Sequence, residues 1–88
     1  MTGPIRKHRV AIGLSRTELA VLLDASVPLV GVLERGEGLP QVEHLKTLSG
    51  IFGLSEDRLL EECRGFRGDI RETALRKIQR TAEPLQAA

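Results

Sequence analysis

The chain has 88 residues, 41% of them hydrophobic, with 13 Lys/Arg against 12 Asp/Glu, two Phe and no Trp or Tyr. That length allows one domain, near the size at which a single core stabilises only marginally, and the scarcity of aromatics requires that core to be close-packed and aliphatic. Cys63 stands alone, which excludes an intrachain disulfide. No apolar run approaches the roughly 20 residues that span a bilayer, so a cytoplasmic protein without a membrane partner is expected.

In chain order, Pro4 suits the first position of a helix and Gly13 its stop, so the first helix is predicted from Pro4 to Ile12. Ile5 and Ile12 are expected to face the core, with Val10 or Ala11 beside them. His8 reads as a half-buried histidine with a satisfied hydrogen bond, because no Cys or acidic cluster near it has metal-ligand spacing. Ser15 followed three residues later by Glu18 is a capping box. It starts a second helix at Arg16, whose Leu19, Ala20, Val21, Leu22 and Leu23 are expected to form a buried stripe. Asp24 and Ala25 make a short connection, and Ser26 caps a third helix from Val27 onward, with Pro28 tolerated in its first turn. Gly36 is placed to adopt the left-handed stop.

Pro40 is expected at the first position of a fourth helix over residues 41–52, burying Val42, Leu45, Leu48, Ile51 and Phe52 before Gly53 ends it. Ser55 caps a fifth, with Glu56 and Asp57 at its positive end and Leu59 and Leu60 closing the core. Residues 63–68, CRGFRG, read as a connector. Asp69 is then expected to cap a separate basic amphipathic helix over residues 69–83, stopped by Pro84. Ile70, Ala74, Leu75, Ile78 and Ala82 share one side of it, and Arg76, Lys77 and Arg80 the other.

Between Ile5 and about Leu60 the chain resembles the Cro/C1-type (XRE) helix-turn-helix domains of phage repressors and bacterial regulators. The marks are Ile5, Arg9, Gly13-Leu14-Ser15, Glu18-Leu19-Ala20, Leu23, Ser26, Val30 and Leu33-Glu34-Arg35-Gly36, followed by Pro40, Leu45, Leu48, Gly53, Ser55, Asp57 and Leu59-Leu60. The resemblance implies an all-α fold: a five-helix domain over residues 4–62 with its motif at 15–34, plus the additional C-terminal helix. It also implies a structural ion pair between Arg9 and Glu34, a homodimer, and double-stranded DNA as partner, with the third helix in the major groove.

Carried over by position, the outward set of the third helix is Val27, Pro28, Leu29, Gly31 and Val32; Ser15, Arg16, Ser26 and Gln41 are the further candidate DNA contacts, and Arg6, Lys7, Arg76, Lys77 and Arg80 of the first and last helices are candidate phosphate contacts. The family commonly has Arg, Ser, Thr, Gln or Lys on the outer side of the third helix, whereas Val27 to Val32 offer no donor or acceptor there. Val, Pro and Leu can contact a thymine methyl but cannot match the polar pattern of the major groove. A regulator with weak or shape-based readout is therefore expected. The second reading is a protein-interaction adaptor that docks through the apolar patch of Val27, Leu29 and Val32. Ile70, Ala74, Leu75 and Ile78 of the terminal helix are a further candidate interface, and that helix folding back over the patch is a third arrangement.

Charge is unevenly spread: residues 1–63 hold seven Lys/Arg against nine Asp/Glu, a net of −2, and residues 64–88 hold six against three, a net of +3. DNA affinity comes largely from Lys and Arg neutralising phosphates, so any basic surface must be local. No Ser/His/Asp or Cys/His arrangement, phosphate loop or metal-ligand spacing is present in the sequence. Neither an enzyme nor a cofactor or metal is expected.

Overall fold

The computed structural model describes the backbone of residues 2–87 and the side chains of residues 2–80, which form five helices and no strand. Helix α1 (Pro4–Ile12) has proline in its first turn and ends at Gly13, whose φ of 88° lets its N–H bond the carbonyls of Arg9 and Val10. Helix α2 (Arg16–Leu22) begins with both halves of the capping box: Glu18 N–H donates to Ser15 Oγ at 3.0 Å, and Ser15 N–H to Glu18 Oε1 at 2.8 Å. Helix α3 (Val27–Glu34) is capped by Ser26, whose Oγ accepts from Leu29 N–H at 3.3 Å. Helices α4 (Val42–Phe52) and α5 (Glu56–Ala87) follow.

One face of each helix supplies the core. Ile5, Leu19, Ala20, Leu23, Val30, Leu33, Leu45, Leu48, Leu59 and Cys63 are buried, and no aromatic ring is among them. The two Phe residues sit at its edge. The Phe52 ring lies tilted against that of His8, with centroids 5.2 Å apart, and His8 Nε2 is hydrogen-bonded to Glu62 Oε1 at 2.9 Å, which ties α1 to α5.

The C-terminal third departs from the sequence expectation. Residues 63–68 are helical, Asp69 lies inside α5 instead of capping a new helix, and the helix continues through Pro84 to Ala87. Thus the fifth helix and the expected terminal helix are one element. The reason is packing: Leu59, Cys63, Phe66 and Ile70, spaced i, i+4, i+7 and i+11, share one helical face. Phe66 occupies the space that side chains on two glycines would fill. A Cβ on Gly3 would stand 2.5 Å from Phe66 Cε2, and one on Gly36 would stand 2.9 Å from it and 2.7 Å from Ile70 Cδ1. Holding that ring offsets the roughly 1 kcal/mol that each of Gly65 and Gly68 costs a helix.

Smaller differences concern which apolar residues face inward. Val10, Ala11 and Ile12 are exposed, as are Val21 and Leu22, because Leu19, Ala20 and Leu23 already fill the inner side of α2. Val42 is 67% exposed. Helix α4 starts at Val42, two residues after the proline expected to open it, with Gln41 at the cap, so Val42 falls on the outside of the first turn while Pro40 itself is buried in the preceding loop.

Candidate nucleic-acid interface

The α2–α3 pair is set by local chemistry. Asp24, the one non-glycine residue with positive φ among the described residues (51°), turns the chain, and Ala25 N–H bonds the Ala20 carbonyl at 2.9 Å. Capping by Ser26 then fixes the entry of α3, whose Val30 and Leu33 insert into the core. Val27, Pro28, Gly31 and Val32 are left on the outer side.

Those four residues form the floor of an open groove of about 890 Å³, bounded by Arg6 of α1, Arg16 of α2, Arg35 after α3, and Phe66 and Ile70 of α5. Helix α5 therefore walls this face without covering it: Val27 remains 40% exposed. The groove contains a guanidinium the sequence reading overlooked. Arg35 stands four residues after Gly31 and folds back over it, so that a Cβ on Gly31 would lie 2.8 Å from Arg35 Nη1. Its Nε is held by the Glu37 carboxylate. The available signal was the i, i+4 spacing of a mid-helix glycine and an arginine.

Glu34 organises the other two elements. Arg9 Nε donates to its Oε2 at 2.5 Å, Arg16 Nε to its Oε1 at 3.0 Å, and Arg9 Nη1 also bonds the Leu14 carbonyl at 2.7 Å. Burial alone would push the Glu34 carboxyl up, but the hydrogen bonds and charges of Arg9 and Arg16 outweigh it and hold the group below its ordinary value. Arg16 thus has a fixed position, while its side chain stays half exposed beside α3. Elsewhere, the hydrogen bond with His8, against the opposing effect of burial, holds Glu62 below the usual carboxylate range. Burial and the neighbouring Glu62 push the Cys63 thiol up to about 11, so it stays protonated at neutral pH.

The other sequence-derived site residues are dispersed. Ser15 and Ser26 spend their hydroxyls on caps, Leu29 is half-buried outside the groove, and Gln41 is exposed at the start of α4. Lys7 is exposed on α1 and does not line the groove. Ile70 joins Val27 and Val32 in the groove, whereas Ala74, Leu75 and Ile78 lie further along α5 with Arg76, Lys77 and Arg80. Arg76 Nη2 bonds Glu72 at 2.6 Å. No group of three or more potential metal ligands occurs among the described residues, and no helix there is long and apolar enough to cross a membrane.

A family model described as helix-turn-helix matches residues 5–59, more than half of the chain. The chain belongs to the Cro/C1-type (XRE) helix-turn-helix family. Its all-α, five-helix architecture is that of a Cro/C1-like domain, and the family is one of DNA-binding regulators. No match was found among curated proteins or among solved structures. The matched segment ends at residue 59, so everything in this helix-turn-helix protein that α5 adds beyond Leu59, including the wall of the groove, lies outside it.

Proposed function

We propose that this chain is a dimeric transcriptional regulator that places α3 in the DNA major groove and reads sequence weakly, mainly through duplex shape. The observation that carries the proposal is the composition of the groove: an apolar floor of Val27, Pro28 and Val32 framed by Arg6, Arg16 and Arg35. A major groove about 12 Å wide admits one helix. The floor would offer contact with thymine methyls and few hydrogen bonds to base edges, while the arginines at its borders suit phosphates. Arg16, fixed through Glu34, enters such a contact with little loss of side-chain freedom.

The same framing disfavours the adaptor reading. Leu29 is half-buried and lies outside the groove, so the apolar patch is smaller than Val27, Leu29 and Val32 together would make it. For the dimer, support comes from the outer half of α5, where the apolar side chain of Leu75 is 47% exposed. Fluorescence anisotropy with random-sequence duplex across a salt series tests the reading. Saturable binding that weakens steeply with salt is expected. No binding at low salt would sink it and leave the groove as a protein-docking surface.

A further inference from the structure

Helix α5 brings a second basic feature to the edge of the groove. Arg64, Arg67 and Arg71, spaced i, i+3 and i+7, line a shallow concavity with Arg35, Gly36 and Glu37. This concavity shares Arg35 and Ile70 with the groove over α3, so the two are continuous. Glu37 is the one acid lining it among the described residues, and it is engaged by Arg35. Arg64, Arg67 and Arg71 form no ion pair among the described residues, in contrast to Arg9, Arg16, Arg35, Arg58 and Arg76, each of which has a carboxylate partner. Three unneutralised guanidinium groups on one helix face repel one another, an arrangement that a polyanion relieves.

We propose that Arg64, Arg67 and Arg71 form a phosphate-binding seam that grips the sugar–phosphate strand bordering the major groove occupied by α3. The inference rests on the DNA-binding reading and extends it to a part of the chain outside the matched family segment. A helix seated in a major groove has a phosphate strand on each side, and one of them must pass between α3 and the wall that α5 makes. The seam covers about 10 Å of helix axis, enough for two or three phosphates of one strand, which recur about every 3.4 Å along the duplex. Such contacts carry no base information. They suit a reader whose α3 is poor in hydrogen-bonding groups, because they supply affinity independently of sequence.

The test compares the unsubstituted chain with the triple variant Arg64→Gln/Arg67→Gln/Arg71→Gln and the triple Lys variant at the same positions, titrated with random duplex DNA from 50 to 300 mM salt, a range set by roughly the span over which phosphate contacts lose affinity. All three positions are exposed and Gln is a good helix former, and matched thermal midpoints check that folding is intact. Expected for the Gln variant is on the order of tenfold or more loss of affinity at low salt, and a log–log salt slope shallower by about 2 to 3. The Lys variant should restore the slope, since a phosphate accepts a point charge. An unchanged slope in the Gln variant of a protein that does bind would overturn the seam alone, as would weaker binding with the original slope. If the unsubstituted chain binds no duplex even at low salt, the seam and the DNA-binding reading fall together, and an acidic protein becomes the partner to seek.

Discussion

The two halves of α5 share a backbone conformation and little else. As far as Phe66 the helix is part of the domain: Leu59 and Cys63 are buried, Glu62 is tied to His8, and Phe66 is lodged between Gly3 and Gly36. Over residues 67–80 every side chain is exposed. There the helix is supported by local bonds such as Glu72 to Arg76 and Thr73 Oγ1 to the Asp69 carbonyl. The difference shows where a helix draws its stability. Nucleation is the costly step and propagation is cheap, so a segment that could not hold a helix by itself is helical because the packed half has already nucleated it.

Several substitutions would break or sharpen that contrast. The largest effect is expected from Leu59→Ala in the packed half, about 2–5 kcal/mol of global stability, measured by urea denaturation. Acid comes next, and it acts on the domain side. Glu34 and Glu62 have lowered folded-state values relative to the ordinary 4.5, so their stabilisation is complete above that value and is lost as pH falls through the folded values. Thermal melts should accordingly show a midpoint that drops below about pH 4.5, and Glu34→Gln should flatten that dependence. Gly68→Ala should stabilise the helix by about 1 kcal/mol, because nothing lies within 4 Å of the Cβ position there. Hydrogen exchange should then slow mainly in the outer half. A destabilised variant would mean that residues 63–68 are not helical in solution. The smallest effect belongs to Leu75→Ala, within about 0.5 kcal/mol for a monomer; a larger, concentration-dependent loss would place Leu75 in an interface between two copies.

What the sequence disclosed follows the range of the forces involved. The starts of α2 and α3 and the ends of α1, α3 and α4 are set by neighbours within four residues, namely the Ser15–Glu18 box, Ser26, Gly13, Gly36 and Gly53, and all of these were readable, whereas Pro40 pointed to a start of α4 that lies instead at Val42. Residues 63–68 were not, because two glycines within four positions look like a turn. What overrides them comes from Gly3 and Gly36, far away along the chain. The clue was the apolar stripe of Leu59, Cys63, Phe66 and Ile70 running straight across the supposed connector. Exposed Val21, Val42 and Ile12 show the opposite limit: apolar character does not say which side of a helix faces the core.

The candidate site divides along the same line. The apolar character of α3 was evident from Val27 to Val32. The guanidinium lying over Gly31 was not, because Arg35 stands beyond the end of the helix and reaches the groove only by folding back. Likewise, the Arg9–Glu34 pair was expected from the family resemblance, but the second bond to Glu34, from Arg16, was not, because it depends on side chains meeting from α2 and α3.

Because α5 is unbroken across residues 63–68, the outer half is not tethered to the domain but geared to it. Each residue of the helix advances about 1.5 Å and turns about 100°, so the angular position of Leu75 and Ile78 is set by the seating of Phe66 many ångströms away. One residue inserted near Gly68 would swing the whole outer half to another side of the molecule, whereas a true linker would absorb it. Length and direction on this arm cannot be changed separately.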